Sequence, residues 1–184
     1  FNIALEEVRN FTWHVFCDEY FEAVKDRLYN PELYGKEKRG AVQYALYTVL
    51  YRIIQLLAPI SPHITEEIYD AIYRETIRQE NLQIAPWPQV KKEQLDEEAE
   101  KKGDFVMAVI TEIRREKAEK RKPLNTQIGN VKIYAGNAEF AGILAENKQD
   151  IIGTCKISQI EILPEKGEGR QIPENSEASF VSEY

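Results

Sequence analysis

Cysteine, histidine and methionine are all scarce in this sequence. Its 184 residues include two cysteines, two histidines and one methionine. Cys17 and Cys155 are too few for a disulfide framework, and neither they nor His14 and His63 have further ligand residues at the spacing of a zinc site. We therefore expect two reduced, mostly buried thiols and no metal site.

Long apolar runs are also absent, and so is a targeting segment. No run of about 18 apolar residues occurs. The chain begins with Phe1-Asn-Ile-Ala-Leu-Glu-Glu, which has neither the basic residues nor the cleavage site of a signal peptide. These absences predict a protein without a membrane span and with a cytoplasmic location. An apolar start without methionine also leads us to expect a piece of a longer protein.

The sequence lacks the glycine-rich loops that hold nucleotide phosphates. Neither GxGxxG nor GxxxxGK followed by Ser or Thr occurs. Neighbouring carboxylates such as Glu66 and Glu67 do not form a catalytic pair, because successive side chains on a helix point in different directions. We therefore predict no catalytic residue and no cofactor for this chain.

The acidic net charge argues against a general nucleic-acid binder. The formal net charge is -7, but residues 112–122 carry six basic against three acidic side chains, whereas residues 161–184 carry six acidic against two basic. The basic segment has two interpretations. Its Glu, Lys and Arg residues can form i,i+4 pairs on a solvated helix, or its Lys and Arg side chains can bind RNA phosphates. Any RNA contact is expected to be local.

The first two thirds of the sequence has helical periodicity. The predicted elements are a long helix ending at Asn30-Pro31, a turn-rich link through Gly35 and Gly40, a helix over residues 41–58 stopped by Pro59, a helix from Ser61-Pro62 to about Gln79, and a helix from about Glu93 to Lys122. Between the last two, residues 80–90 should form a surface crossover that packs Trp87 against the bundle. This pattern predicts an antiparallel helical bundle of about four principal helices over residues 1–125.

After Pro123 the period of the pattern changes. Residues 130–135 and 159–163 alternate like strands, and residues 137–146 and 150–155 are predicted helices. The tail from Pro164 is predicted to be a loop, with residues 178–182 able to add an edge strand. The predicted architecture is mainly α: the helical bundle, followed by a small α/β subdomain over residues 126–184.

Three motifs occur in an order that one protein family shares. They are Trp13-x-x-Phe16-Cys17-Asp18-x-Tyr20-x-Glu22, Leu57-x-Pro59-x-x-Pro62-x-Ile64-Thr65-Glu66-Glu67-Ile68-Tyr69, and Ala85-Pro86-Trp87-Pro88. In this order they resemble the anticodon-binding helical bundle of the class I aminoacyl-tRNA synthetases for valine, leucine and isoleucine. The last motif, followed by an Arg-rich helix, Pro123-Leu124-Asn125 and a compact α/β end, is most similar to valyl enzymes of the archaeal kind. The resemblance covers residues 1 to about 163.

The resemblance implies a domain that recognises the anticodon stem-loop of valine tRNA for a catalytic domain outside this chain. That catalytic domain would use ATP, and its HIGH and KMSKS signatures are absent here. The implied partners are valine tRNA and the catalytic and editing domains of the parent chain. Asp18 of the first motif is expected to pair with an Arg or Lys of the bundle.

The family's Ile-Arg-x-x-Lys/Arg-Ala-Glu helix, which ends the bundle on the tRNA side, corresponds to residues 113–119. The candidate tRNA-binding residues are Arg9, Arg114, Arg115, Lys117, Lys120, Arg121, Lys122 and Asn125. Two alternatives stay open. One is the same module from a leucyl or isoleucyl enzyme, and the other is a helical protein-interaction module without RNA binding, which the acidic charge favours.

Overall fold

The structure is a computed structural model that describes residues 2–173 and 175–184, so Phe1 and Glu174 of the predicted domains lie outside the described residues. The chain forms two compact units. The first comprises the chain up to Phe21 together with Arg27–Leu95, and the second comprises Glu22–Asp26 together with Asp96–Tyr184. The sequence predicts a boundary after residue 125, whereas the main boundary lies between Leu95 and Asp96. The last long helix therefore packs with the α/β subdomain.

The N-terminal helical run continues without a break to the residue before Asn30, as predicted. It consists of α1 (Asn2–Asn10), a π-helical segment (Phe11–Phe21) and α2 (Glu22–Tyr29). The π-helical segment has i→i+5 hydrogen bonding, which changes the angle between successive side chains. At α-helical spacing Leu5, Val8, Phe11 and Val15 would form one apolar stripe, and the π-helical segment displaces this stripe. Phe16 is buried, but Phe11 and Val15 are exposed.

The predicted link before the second helix is itself helical. Helix α3 covers Pro31–Leu57 and is interrupted only at Gly35, whose φ of 82° and ψ of 160° lie outside the helical region. Glycine adopts such a conformation without the steric cost of a side chain. Gly40 is part of the helix. Proline ends the helix as predicted, since Pro59 follows the C-cap residue Ala58.

Two further helices and a buried tyrosine cluster complete the first unit. Helix α4 covers Pro62–Ile72 and α5 covers Arg74–Ile77, so the predicted third helix is divided at Tyr73. Tyr69 and Tyr73 are fully buried. The Tyr69 hydroxyl donates to the Gln79 carbonyl at 3.0 Å, and the Tyr73 hydroxyl donates to the Tyr47 carbonyl at 2.8 Å. These bonds satisfy two polar groups in the core of the first unit.

Helix α6 covers Glu97–Glu119, without a break at Gly103. It begins later than predicted because Asp96 is its N-cap and accepts hydrogen bonds from the amides of Glu98 and Ala99 at 3.1 and 3.0 Å. Residues Lys92–Gln94 form a separate 3-10 turn. The apolar face of α6 joins the core of the second unit, which explains why α6 belongs to that unit.

The second unit has a four-stranded mixed sheet. Its elements are β1 (Ile128–Tyr134), α7 (Ala138–Glu146), α8 (Lys148–Cys155), β2 (Ile157–Leu163), β3 (Arg170–Ile172) and β4 (Asn175–Glu183). The strand order is β2-β1-β4-β3, with β1 parallel to β2 and β4 antiparallel to both β1 and β3. The helices α7 and α8 form the crossover that a parallel pair requires.

The C-terminal tail is a central part of this sheet, which corrects the prediction of a loop with an added edge strand. Lys132 of β1 pairs with Val181, and Arg170 of β3 pairs with Phe180. β4 therefore hydrogen-bonds on both sides, and the edge strands of the sheet are β2 and β3. Phe180 is buried together with Val109 of α6 and Val131 of β1. None of the helices in the described ranges combines the length and the apolar character that a bilayer crossing requires.

Candidate nucleic-acid interface

Helix α6 ends in a turn in which the basic residue Arg121 has a left-handed backbone conformation. Arg121 has a φ of 52°. Its amide donates to the Ala118 carbonyl at 2.9 Å, and the Lys122 amide donates to the Lys117 carbonyl at 2.8 Å. This pair of bonds is a Schellman motif, in which glycine usually has the left-handed position. The Arg121 side chain is exposed, and no acidic side chain within the described residues pairs with it.

Tyr184 contributes an aromatic ring to this helix end. Lys120 Nζ lies 4.4 Å and Lys122 Nζ lies 4.5 Å from the centroid of the ring, which is within the range of cation–π attraction. Tyr184 as a whole residue is 38% exposed. Tyr184 is not among the residues predicted from the sequence, because strand pairing of β4 with β1 brings it to α6 and no local motif marks it.

In this cluster, Glu116 connects Lys120 at the end of α6 with Ser182 of β4. Its carboxylate accepts hydrogen bonds from Lys120 Nζ at 2.9 Å, from the Ser182 hydroxyl, and from the Tyr184 hydroxyl at 3.3 Å. Burial acts to raise the pKa of Glu116, but the hydrogen bonds from Lys120 and Ser182 outweigh burial and lower the pKa below its ordinary value of 4.5. Burial, followed by the Glu116 charge, raises the pKa of Tyr184.

Arg115 is exposed but lies among carboxylates. Its guanidinium is 3.3 Å from Glu112 and 3.4 Å from Glu119. Arg170 of β3 donates to the same two carboxylates, at 2.9 Å to Glu112 and at 3.0 Å to Glu119. The hydrogen bond with Glu119, above all, raises the pKa of Arg170. An RNA phosphate would have to compete with two carboxylates for Arg115.

Lys117 is buried, so the expectation that it contacts RNA needs correction. Its side chain has no exposed surface, and Nζ donates to the carbonyls of Leu124 at 3.0 Å, Cys155 at 2.7 Å and Thr126. A helical period predicts one basic face, but the link that follows α6 folds back over this position. We therefore leave Lys117 out of the candidate interface.

The remaining candidate residues differ in position and exposure. Asn125 is exposed in the turn between α6 and β1, and Arg114 is half-buried on α6. Arg9 is exposed on α1 and belongs to the first unit, whereas the other candidates belong to the second. The structure therefore brings together Lys120, Arg121, Lys122 and Asn125 at the end of α6, with Tyr184 beside them.

The first unit contains an apolar cavity of about 440 Å³. Its lining residues are Ala4, Leu5, Val8, Leu56, Leu57, Pro59, Ile60 and Trp87. Trp87 lines this cavity together with bundle residues, and 56% of Trp87 is exposed. The cavity has little polar lining and no charged side chain, which disfavours it as a phosphate site.

The histidines and cysteines show no metal-site geometry. In the part of the chain that the structure describes, no three His, Cys, Asp or Glu side chains come together as metal ligands would. His14 Nδ1 lies 3.4 Å from Asp18, one helical turn away. Cys155 is buried as predicted, whereas Cys17, which lies in the π-helical segment, is exposed. Burial raises the pKa of the Cys155 thiol to about 12.

Comparison with known proteins gives one family and several relatives. The family described as the anticodon-binding domain of tRNA ligase matches residues 1–134. Over 168 residues, the chain is 39% identical to a valine–tRNA ligase of Pyrococcus horikoshii and 39% identical to one of Pyrococcus abyssi. A valine–tRNA ligase of Methanothermobacter thermautotrophicus is also 39% identical over 168 residues. Each match covers 91% of this chain but 18% of the relative, so the chain spans under a fifth of these relatives' length.

Proposed function

Because this chain belongs to the family of anticodon-binding domains of tRNA ligases, we propose that it binds the anticodon stem-loop of valine tRNA. In this proposal the chain positions the tRNA for aminoacylation by a catalytic domain that lies outside it. The names of the relatives support valine as the amino acid. We also propose a cytoplasmic location, because the proposed partner is a tRNA.

The basic cluster at the end of α6, where Lys120 and Arg121 are exposed and Lys122 is half-buried, carries the proposal. Lys120, Arg121 and Lys122 are consecutive, and Arg121 has no carboxylate partner among the described residues. Phosphate contacts by Lys and Arg supply most of the sequence-independent affinity for RNA. This concentration explains how a chain with a net charge of -7 binds RNA at one place.

Side chains for base recognition lie next to these cations. The Tyr184 ring offers a surface on which an unpaired base stacks, with Lys120 or Lys122 moving from the ring to a phosphate. Asn125 has an amide that both donates to and accepts from a base edge. In this arrangement Arg114 and Arg115 make secondary contacts, and Arg9 of the first unit is a separate candidate.

The catalytic and editing domains of the parent chain are the second proposed partner. The apolar cavity lined by Leu5, Val8, Leu56 and Trp87 offers a surface for such a contact. ATP would bind in the catalytic domain, since this sequence has no glycine-rich phosphate loop. We therefore expect the purified chain to show no ATP–pyrophosphate exchange with valine, and exchange above background would contradict this assignment.

Titration of the chain with valine, leucine and isoleucine tRNAs tests the function. We expect tightest binding to valine tRNA, with a log–log salt slope of about -2 if three cations contact phosphates at about 0.7 each. Lys122→Gln should weaken binding, and Lys148→Gln, an exposed lysine on α8, serves as the control. Preference for leucine or isoleucine tRNA would reassign the amino acid. No binding at low salt would favour a protein-interaction module.

A further inference from the structure

The Lys117 ammonium is fully engaged by backbone carbonyls inside the second unit. The three acceptors are the carbonyl oxygens of Leu124, Thr126 and Cys155. An ammonium group has three N–H donors, so these bonds use its whole hydrogen-bonding capacity. Lys117 therefore has no donor left for a phosphate, although it lies in the basic segment of α6.

The contacts of Lys117 enclose the turn that carries the candidates Arg121, Lys122 and Asn125. Its backbone carbonyl accepts from the Lys122 amide at the start of the turn, and its side chain binds the carbonyls on either side of Asn125. The third bond reaches Cys155, the last residue of α8, where a cation is favoured by the helix dipole. One residue thus connects the end of α6, the turn over residues 121–126 and the core.

The burial of this ammonium makes the arrangement sensitive to its partners. Burial lowers the pKa of Lys117, because a charge is costly away from water. An apolar side chain of similar length would leave three carbonyls without their donor. We expect the turn to lose its conformation when the ammonium is removed.

We propose that Lys117 is a positioning residue that holds residues 121–126 so that Arg121, Lys122 and Asn125 meet the RNA together. The proposal rests on the proposed function, because it assigns Lys117 a part in tRNA binding without contact to tRNA. It differs from a phosphate contact in a measurable way, since a positioning residue acts only through the side chains that it positions.

The first test needs no RNA and no variant. The wild-type chain is acetylated briefly, and modified lysines are quantified by mass spectrometry. We expect Lys120 and Lys122 to react and Lys117 to stay unmodified, because its Nζ is buried and hydrogen-bonded. Reaction of Lys117 at the rate of Lys120 would overturn the proposal.

The second test measures the turn in Lys117→Met and Lys117→Gln. Amide hydrogen exchange at Lys122 and Thr126 should become at least about tenfold faster in Lys117→Met, while Val131 in the sheet core keeps its protection. Lys117→Gln retains two donors and should have a smaller effect, so it remains informative if Lys117→Met is poorly folded. Lys148→Gln is the matched control. Unchanged exchange in both Lys117 variants would overturn the proposal.

The third test measures valine tRNA affinity in a double-mutant cycle. We expect Lys117→Gln to weaken binding about fivefold to tenfold in the wild-type background, but by less than about twofold when Arg121, Lys122 and Asn125 are all replaced by alanine. Equal losses in both backgrounds, with a salt slope lowered by about 0.7, would make Lys117 a direct phosphate contact and overturn the proposal. If the wild-type chain binds no tRNA, the proposed function fails, and hydrogen exchange still decides whether Lys117 holds the turn.

Discussion

Arg170 on β3 donates from Nε to Glu112 on α6 across 2.9 Å, and only 5% of Glu112 is exposed. This bond joins β3, one of the two edge strands, to the helix that carries the candidate interface. We expect Arg170→Met to destabilise the second unit by about 3 kcal/mol, because it leaves a buried carboxylate with Arg115 as its remaining partner. Hydrogen exchange of β1 amides measures this effect, whereas tryptophan fluorescence reports the first unit, where Trp13 and Trp87 lie.

Lys166→Met is the matched control for Arg170→Met. Lys166 pairs with Glu177 on the surface of the same unit, and both side chains are well exposed. Its replacement should change the free energy of unfolding by less than about 0.5 kcal/mol. Equal effects of the two substitutions would show that the Arg170 bond has no special structural role.

Glu116 should make the stability of the second unit depend on acid pH. Its pKa in the folded chain is lowered, so its contribution to stability is present above its ordinary pKa of 4.5 and is lost as the pH falls through the folded value. The difference in unfolding free energy between the wild type and Glu116→Gln should therefore be larger at pH 6 to 7, roughly, than below about pH 4. Urea unfolding at several pH values measures it, with exposed Glu168→Gln as the control. A constant difference would contradict the assignment.

Arg121→Gly should have opposite effects on stability and on RNA binding. Glycine adopts the left-handed conformation of this position without the cost that a side chain adds, so we expect stability to rise by about 0.5 to 1 kcal/mol. Valine tRNA affinity should fall, because the guanidinium is lost. Arg121→Ala loses the same charge but keeps a side chain in the left-handed conformation. It should therefore weaken binding without stabilising the chain. Unchanged affinity in both variants would remove Arg121 from the interface.

Arg115 and Lys122 should differ in their effect on tRNA affinity, although both belong to the basic segment. Arg115 already lies between Glu112 and Glu119, whereas the contact of Lys122 is the Tyr184 ring. We expect Lys122→Ala to weaken binding by about 1 kcal/mol and Arg115→Ala by less than about half of that. The reverse order in a filter-binding or calorimetric titration would place the RNA on the Arg115 side of α6.

Local features of the fold were predictable because they depend on neighbouring residues. Pro31 ends the first helical run before Asn30, and Pro59 ends α3 before Ala58, because proline restricts the preceding backbone and lacks an amide donor. Alternation over residues 130–135 and 159–163 predicted β1 and β2. The π-helical segment was not predictable from apolar spacing, because its hydrogen bonding alters the period from which the prediction is made.

The sequence by itself determined the family, the helical character of the chain and the excess of basic residues over residues 112–122. Tertiary structure decided which of those residues are available to RNA. Lys117 and Lys122 have the same charge, but the link to β1 covers the first and leaves the second beside Tyr184. Tertiary structure also decided that α6 packs on the sheet and that β4 is a central strand. Helical periodicity shows that a face is buried, but the element that covers it comes from distant residues, through packing and strand pairing that no local pattern encodes.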